Sequence, residues 1–554
     1  MVEQAELLVR GAPICTMDPG RPWAEAFAVH DGLIVAVGDE SEVAQVCGPA
    51  TQVLDAGEGM VLPGLVDVHS HLGFAGRQIA WELPLAPSLA LAEVLAAVRE
   101  RATLLEPDEW VVGGILSSAV LAAVGDEASL AALDQASLGR PVMLRDETMH
   151  NRWVNSRALA IMGVTATSAE PDGGAYRRDR GGNPVGVLLE GASTLAEAAV
   201  RASTPDTEAR DRHSVRTALS IMNSQGITAT MDAATMGHWL DACTQLDQAG
   251  ELTGWVVACM AAREFVDPGV AGVELFDTAP ERRSRHVRPD FVKGVLDGIP
   301  MTRTSMFLRP YLPASTHSCP YHGNSFYTDE QLLDLLEQAV TRRLGAKLHA
   351  TADGTVRQAL DAIAVIRKRH GNGPVFHIAH PEFIHPDDVA RFAELGVIAD
   401  ASPGLWFPNP MNTAIAAQIE PHYMERIWPL GELHRAGVPI AAGCDWPAAV
   451  VHPDPWLSIQ TMITRRNPDP AFPGELAADQ ALDLPTALRA HTVQSARAMG
   501  LANETGMLRP GLSADFIAVD RNLFQTPVDQ IHRTRVLRTW FAGSLVYEAG
   551  SPSP

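Results

Sequence analysis

The sequence has few features that would bind it to a nucleic acid or to a membrane surface. Aspartate and glutamate outnumber lysine and arginine by 66 to 43, which gives a formal net charge of −23 at pH 7. The acidic residues are spread along the chain, and no block of lysine and arginine interrupts them. Because anionic partners are held by basic patches, we expect neither a nucleic-acid partner nor a membrane partner.

Paired cysteines and long apolar runs are missing too. The six cysteines show no C-x-x-C spacing, which is typical of free thiols in a reducing compartment. The most apolar stretch, "WVVGGILSSAVLAAVG" from Trp110, is shorter than the ~20 residues that span a bilayer and is interrupted by glycine and serine. The opening "MVEQAELLVRGAP" lacks the pattern of a secretory signal. We therefore expect a cytoplasmic protein.

The composition is that of a globular protein. The chain has 554 residues, of which 46% are hydrophobic and 20% charged. A chain of this length is too long to fold around a single small core. We therefore expect a large domain of about 300 to 400 residues with smaller attachments, or two to three domains.

Eight short apolar runs recur along the middle of the chain, and helical patterns such as "DEQLLDLLEQAVTRRLG" and "PDDVARFAELG" follow several of them. Alternation of buried strands with helices is typical of βα units around a parallel sheet, and eight units predict an α/β fold of the (β/α)8 barrel type. The runs are "MVLPGLVDVH", "ITATMDAA", "WVVACMA", "FVKGVLDG", "AKLHA", "PVFHIAH", "VIADASP" and "PIAAGCDWP".

Two further parts interrupt or flank these units. About 150 residues separate the first run from the second, which is too long for a loop without its own structure. Both ends of the chain read as short strands, with Asp31-Gly32 as a hairpin turn. We predict a small β-sandwich domain from residues 1–60 and 500–554, a barrel from 61–72 and 200–499, and an inserted α+β subdomain, 73–199, over the barrel mouth.

Polar residues stand at or near the ends of the runs, where the active sites of such barrels lie. His69 and His71 end the first run, His349 ends the fifth, His380 ends the sixth, and Asp445 lies near the end of the eighth. Two histidines separated by one residue are a weak signal when alone, because such histidines are often satisfied structural residues. Together with two more histidines and an aspartate, they indicate a metal site, because one cation satisfies all of these buried groups.

Lys293, within the fourth run, leaves two interpretations open. It can pair with the nearby carboxylate of Asp297. Alternatively, its amine is desolvated enough to be neutral and to react with carbon dioxide, which gives a carbamate that bridges two metals. The spacing alone does not decide between them.

An ordered set of motifs resembles the amidohydrolase superfamily, and in particular its amidohydrolase-3 branch, which includes N-substituted formamide deformylases and YtcJ-like hydrolases. The set spans nearly the whole chain. It consists of "VLPGLVDVHSH", "HNRWVNSRAL", "GVLLEGA", "FVKGVLDG", "KLHATADGTV", "FHIAH", "AAGCDWP" and "GMLRPGLSADFIAVD".

The resemblance implies two divalent metal ions, most often zinc. His69, His71 and Asp445 would bind the first ion, His349 and His380 the second, and Lys293, carboxylated at N6, would bridge them. Asp445 is then the candidate to carry the proton of a metal-activated water. These roles predict an amidohydrolase that acts on a small-molecule substrate and cleaves the C–N bond of a non-peptide amide.

Two alternatives remain open at this point. The same site could hydrolyse an ester, a lactone or a cyclic amide, or the scaffold could serve a catalytically silent binding or regulatory protein. A homodimer is compatible with the general preference for two-fold assemblies.

Candidate substrate-binding residues lie in the insertion and beyond the strand ends. Trp153 and Asn155 of the "HNRWVNSRAL" motif have two open interpretations. One is substrate binding, and the other is an ordinary position in the core for the Trp and helix capping for the Asn. The loop "LPASTHSCPYHGNS" is read as a substrate loop, with a further zinc site on His317, Cys319 and His322 as its alternative. The candidates for substrate binding are His150, Trp153, Asn155, Glu190, Trp406 and Trp446.

Overall fold

The computed structural model describes residues 4–86, 88–147, 149, 151–171, 174–264, 267–313, 320–448 and 450–550, with the side chains of residues 118 and 190 left aside. Within these ranges the strands are β1 (Ala5–Cys15), β2 (Trp23–His30), β3 (Leu33–Gly38), β4 (Cys47–Asp55), β5 (Met60–Pro63), β6 (Leu65–Ser70), β7 (Leu83–Pro84), β8 (Val111–Leu116), β9 (Val142–Asp146), β10 (Asn151–Val154), β11 (Gly174–Arg178), β12 (Pro184–Glu190), β13 (Ile227–Thr235), β14 (Trp255–Ala261), β15 (Val287–Val295), β16 (Gly345–His349), β17 (Phe376–Ala379), β18 (Val397–Ala401), β19 (Ile440–Ala442), β20 (Phe516–Val519), β21 (Val536–Phe541) and β22 (Ser544–Glu548).

The helices of the same ranges are α1 (Glu40–Val43), α2 (Leu72–Trp81), α3 (Leu91–Thr103), α4 (Ser118–Ala123), α5 (Glu127–Ala136), α6 (Ser156–Met162), α7 (Ser193–Ser203), α8 (Thr207–Ser224), α9 (Gly237–Gln248), α10 (Gly272–Thr278), α11 (Asp329–Thr341), α12 (Asp353–His370), α13 (Pro386–Glu394), α14 (Pro410–Ala416), α15 (Pro421–Glu425), α16 (Leu430–Arg435), α17 (Pro455–Thr464), α18 (Leu484–Ala490) and α19 (Val493–Ala498). Short 3-10 turns cover Ala44–Val46, Ala279–Arg282, Pro300–Thr302, Pro403–Leu405, Ala478–Gln480 and Val528–Arg533. In the part of the chain just delimited, no helix combines the length and the apolarity needed to cross a bilayer.

The eight apolar runs form one parallel sheet in the order β6-β13-β14-β15-β16-β17-β18-β19. Every residue of β6, β14, β17 and β18 is buried, which is typical of strands that are covered on both faces. The predicted (β/α)8 architecture is therefore confirmed.

Main-chain bonds beyond the ends of β6 and β19 bring the first and last strands together. The N–H of Asp445 donates to the carbonyl of His69 at 2.6 Å, and the N–H of His71 donates to the carbonyl of Trp446 at 2.8 Å. A Cβ atom at Gly443 would lie 2.3 Å from the backbone nitrogen of His69, so only glycine permits this approach. The sheet thus becomes a nearly closed barrel at the point where His69, His71 and Asp445 stand.

Amphipathic helices cover the outside of the barrel. In α11 the buried residues Leu332, Leu335, Leu336 and Ala339 follow the helical period, and Thr328 and Gln331 form a capping box at its start. The two helical patterns named in the sequence correspond to α11 and α13.

The insertion and the chain ends form the other two sheets. Strands β7 to β12 make a six-stranded sheet in the order β11-β12-β10-β9-β8-β7, which packs with α3 and α5 around a separate apolar core. Strands from both ends form the third sheet, in the order β22-β21-β20-β5-β1-β2-β3, with β4 paired to β1. Asp31 and Gly32, with φ of 48° and 72°, make the tight turn between β2 and β3. The insertion thus has a sheet and helices of its own, and the two chain ends share one sheet.

Candidate metal centre

The first barrel strand delivers two imidazoles to one carboxylate. His69 is fully buried at the end of β6, and His71 follows the strand as the residue that precedes α2. Nε2 of His69 lies 3.4 Å and Nε2 of His71 lies 3.3 Å from Oδ1 of Asp445. The predicted convergence of these three side chains is therefore present in the structure.

His380 completes a compact group of donors. Its Nε2 lies 3.9 Å from Oδ2 of Asp445, and the ligand atoms of His69, His380 and Asp445 all lie within 4.8 Å of one another. His380 and Asp445 have φ of 57° and 60°, a left-handed conformation that other residues than glycine adopt at a cost. Backbone strain of this kind is concentrated at functional sites. The nitrogen and oxygen donors of this group are ligands that suit zinc and similar divalent ions.

His349 and Lys293 lie at the same rim. The ring centroid of His349 is 5.0 Å from that of His380, and Nζ of Lys293 is 3.2 Å from Nε2 of His69. Burial, followed by the charge of Lys347, lowers the pKa of Lys293 to about 8. All six residues predicted as metal ligands are thus neighbours in the structure.

Asp297 bonds to residues other than Lys293. Its carboxylate accepts hydrogen bonds from the N–H of Thr351 at 3.0 Å and from the hydroxyl of Thr355 at 2.5 Å, and it lies 3.7 Å from Nε2 of His349. The simpler interpretation of Lys293, in which it pairs with Asp297, is therefore not supported, because Asp297 is bonded to residues that follow β16.

A buried ionic pair lies behind His69. Both oxygens of Asp400 are 3.4 Å from Nδ1 of His69, and Nζ of Lys347 lies 2.5 Å from Oδ2 of Asp400. Lys347 also donates to the carbonyl oxygen of Val68. Burial alone would raise the pKa of Asp400, but Lys347 and His69 outweigh it and hold that pKa well below its usual value. A carboxylate on Nδ1 leaves Nε2 free to bind a metal and fixes the direction of the ring.

Two further contacts orient the donors. Oδ1 of Asp67 accepts from the N–H of His69 at 2.9 Å, and its Oδ2 accepts from the N–H of Cys444 at 3.0 Å. Nδ1 of His380 lies 3.1 Å from the hydroxyl of Ser402. Burial, followed by the charge of Lys293, lowers the pKa of His69 well below its usual value, so its imidazole is neutral near pH 7 and offers a lone pair.

Asp400, Lys347, Asp67 and Ser402 are functional residues that sequence reasoning missed. The available signal was charge within a strand, because Asp400 and Lys347 stand inside otherwise apolar runs and an unpaired buried charge is costly. That signal would have indicated a pair without saying which histidine the pair supports.

A cavity of about 180 Å³ opens onto the metal-binding side chains. Its lining includes Phe74, Met149, Met236 and Trp239, and four carboxyl groups besides Asp445: Glu147, Asp232, Asp267 and Glu382. Seven further apolar residues line it and are together called the apolar wall: Ile299, Pro300, Met301, Leu405, Met411, Ile415 and Trp428. Such a mixture of apolar surface and a few polar groups is typical of a small-molecule site.

The predicted substrate-binding residues have other positions. Trp153 is fully buried in the core of the insertion, and Asn155 caps α6 by accepting from the N–H of Ala158 at 3.0 Å. Packing and capping therefore account for both, and neither supports the predicted reach over the barrel mouth. His150 lies outside the described residues, as do His317 and Cys319, and so does the side chain of Glu190.

The two tryptophans beyond the strand ends, Trp406 and Trp446, are also buried. Trp406 is 1% exposed, and Cζ of Arg465 lies 5.4 Å from the centroid of its indole ring. Trp446 is 1% exposed, and its carbonyl accepts from the N–H of His71. Leu405 and Trp428, which sequence reasoning did not select, line the cavity on this side.

The comparison with known proteins agrees with this geometry. The family model described as "Amidohydrolase family" matches residues 52–547. The chain is 27% identical to an N-substituted formamide deformylase of Arthrobacter pascens, over 99% of both chains, and 24% identical to the putative amidohydrolase YtcJ of Bacillus subtilis, over 97% of this chain and 98% of that one. A metal-dependent hydrolase from Pyrococcus horikoshii has the same fold, with a TM-score of 0.75 at 18% identity over 94% of this chain and 99% of that one. The barrel, its donor-bearing rim and the match over most of its length show that the chain belongs to the amidohydrolase family.

Proposed function

We propose that this protein is a metal-dependent hydrolase that cleaves the C–N bond of a non-peptide amide. The observation that carries the proposal is the approach of donor atoms from His69, His380 and Asp445 to within 4.8 Å of one another, on the rim of a family barrel. Support for the bond type comes from the relative that is named an N-substituted formamide deformylase.

We propose that the donor set holds two divalent ions and that both are zinc. His69, His71 and Asp445 would hold one ion, and His349 and His380 the other. Lys293, as an N6-carbamate, would contribute one oxygen to each. Ions bound there would polarise the substrate carbonyl and lower the pKa of a water, so that hydroxide is available near neutral pH.

The residues of the chain have distinct tasks in this scheme. Asp445 accepts the proton of the attacking water and delivers it to the leaving nitrogen, because its carboxylate faces both His69 and His71 across the reacting space. Asp400 keeps His69 in one tautomer. The apolar cavity wall excludes bulk water from the group being hydrolysed.

The carbamate of Lys293 forms by a balanced reaction. The lone pair of the neutral amine attacks carbon dioxide, so that an N–C bond forms while one C–O π bond breaks and its electron pair moves to oxygen. One N–H bond then breaks, and its proton leaves to solvent. Support comes from the burial of Lys293 and from its pKa of about 8, which leaves part of the amine neutral under ordinary conditions.

The test is to purify the protein after zinc-supplemented expression, to count bound metal by mass spectrometry, and to assay N-substituted formamides, other amides and esters. We expect two zinc ions per chain and amide turnover that a chelator abolishes. His380→Gln should lose metal, whereas His370→Gln on α12 should retain it. A protein without bound transition metal, or one that hydrolyses esters but no amide, would contradict the proposal.

A further inference from the structure

Glu382 is a buried acid that none of the steps above uses. It stands two residues beyond His380, is 7% exposed and lines the cavity. Its backbone is fixed, because its N–H donates to the carbonyl of His380 at 2.7 Å and its carbonyl accepts from the N–H of Trp428 at 2.8 Å. The main chain therefore fixes where the Glu382 side chain starts, at the edge of the cavity that it lines.

One oxygen of the Glu382 carboxyl group has no hydrogen-bond partner in the part of the chain that the structure describes. Among the described residues, Oε2 of Glu382 is buried and accepts no hydrogen bond. Neighbouring buried acids differ: Asp297 accepts from Thr351 and Thr355, and Asp400 is paired with Lys347. Since buried polar atoms are almost always bonded, an unpartnered oxygen on a cavity wall indicates a partner that arrives with the ligand.

The surroundings of Glu382 define what that ligand is like. The cavity that Glu382 lines is also lined by the apolar residues Trp428, Leu405, Met411, Ile415, Ile299 and Met301. Helix α14, which carries Met411 and Ile415, packs against the 3-10 turn that carries Met301. A group that fills this space must be largely apolar, because a polar one would lose its bonds to water without replacement. Glu382 is the acid that the chain places next to Trp428, through the main-chain bond described above.

We propose that Glu382 is a specificity residue that accepts a hydrogen bond from a hydroxyl or N–H group carried on the apolar part of the substrate. The proposal rests on the proposed amide hydrolysis and adds the class of its substrate, which is an amide whose apolar substituent bears one hydrogen-bond donor. It holds for either protonation state, since a carboxylate and the carbonyl oxygen of a carboxylic acid both accept hydrogen bonds.

Matched pairs of substrates test the proposal. Each N-(ω-hydroxyalkyl)formamide, with two to five carbons in the alkyl group, is compared with the N-alkylformamide that has the same number of heavy atoms. We measure kcat/KM of the zinc-loaded enzyme from formate release. The wild type should prefer the hydroxyl member by about tenfold or more at the best length, which is the size of effect that a buried polar group produces when it is left unpaired.

Two substitutions of Glu382 and one control variant test whether the preference for the hydroxyl substrate depends on the acceptor oxygen of Glu382. Glu382→Met should abolish or reverse the preference, whereas Glu382→Gln, whose amide oxygen still accepts, should retain most of it. Met411→Leu, on the same apolar wall, should change both members of each pair by the same factor. An equal hydroxyl-to-methyl ratio in the wild type and in Glu382→Met, with zinc content unchanged, would overturn the proposal.

Failure of the proposed function gives a different result. If the zinc-loaded wild type hydrolyses no formamide of the series, amide hydrolysis of this class is wrong. Calorimetric binding of the same pairs to the wild type and to Glu382→Met then decides the role of Glu382. A hydroxyl preference in binding that disappears in the variant supports it, and no preference in the wild type refutes it.

Discussion

The carboxylate of Asp400 lies 3.4 Å from Nδ1 of His69, and this contact determines which nitrogen of the ring faces the other donors. Asp400→Asn should weaken zinc binding by about 10- to 100-fold, because the orienting charge on the ring is lost. It should also lower the free energy of unfolding by about 3–5 kcal/mol, because Lys347 is left charged and unpaired in the core. Competition with a zinc chelator and urea unfolding measure the two effects.

A double variant separates these two roles of Asp400. Asp400→Asn combined with Lys347→Met removes both buried charges, so stability should recover while zinc affinity stays low. If zinc affinity recovered together with stability, the contact with His69 would have no orienting role.

Lys293→Ala should lose metal and activity together, because the bridging group is removed. Added acetate or propionate should partly restore both, since a small carboxylate can take the place of the carbamate. Intact-mass analysis of the wild type under carbon dioxide, and metal counts with and without added acid, are the measurements. Two metals and full activity in Lys293→Ala without any added acid would rule out the bridge.

Asp445→Asn should keep much of its metal and lose turnover by about 10²- to 10⁴-fold, since an amide can neither accept nor deliver the proton. Because the main-chain bond from Asp445 to His69 does not involve the side chain, the barrel should close as before. Single-turnover kinetics on the zinc-loaded variant give the comparison. A wild-type rate would remove Asp445 from the proton path.

His491 should make the protein sensitive to mild acid. Burial lowers the pKa of His491 to about 4, whereas an unfolded histidine has a pKa near 6.5. Between these values the unfolded chain binds the proton and the folded chain does not, so the free energy of unfolding falls by about 1.4 kcal/mol for each pH unit between about 6.5 and 4. Urea unfolding from pH 7 to pH 5 should show a smaller decline in His491→Phe than in the wild type. His422→Gln on the surface is the control, and equal slopes in all three proteins would refute the assignment.

Glu197 should be essential to the stability of the insertion. Its carboxylate accepts from Nε of Arg145 at 2.6 Å and from Nε of Arg152 at 2.8 Å, and its side chain is 2% exposed. Glu197→Gln removes the carboxylate that Arg145 and Arg152 share and leaves Glu82 as the remaining buried carboxylate on Arg145, which should cost about 3–5 kcal/mol. Glu208→Gln, in an exposed pair with Arg212, should change stability by less than about 0.5 kcal/mol. Limited proteolysis between residues 83 and 190 reports on the insertion directly, and an unchanged digestion pattern in Glu197→Gln would contradict the prediction.

The barrel and its donors could be predicted because both follow local rules. Each strand is a short apolar run, and His69, His349 and His380 stand where such a run stops. The support behind them could not be predicted, since Asp400 meets His69 only after β18 and β6 are brought to one side of the barrel. Trp153 shows a second limit of the sequence. Its motif is compatible both with a contact at the barrel mouth and with an ordinary core position, and the structure places the indole in the separate core of the insertion.

The seam between β6 and β19 has a consequence for synthesis of the protein. His69 and His71 leave the ribosome early, but Asp445 and the main-chain bonds that join it to them belong to the last quarter of the chain. The early histidines therefore cannot form their site with Asp445 until most of the polypeptide has been made. A chain that stops before β19 therefore contains all four candidate histidine ligands but lacks Asp445 and the main-chain bonds that join it to the first strand.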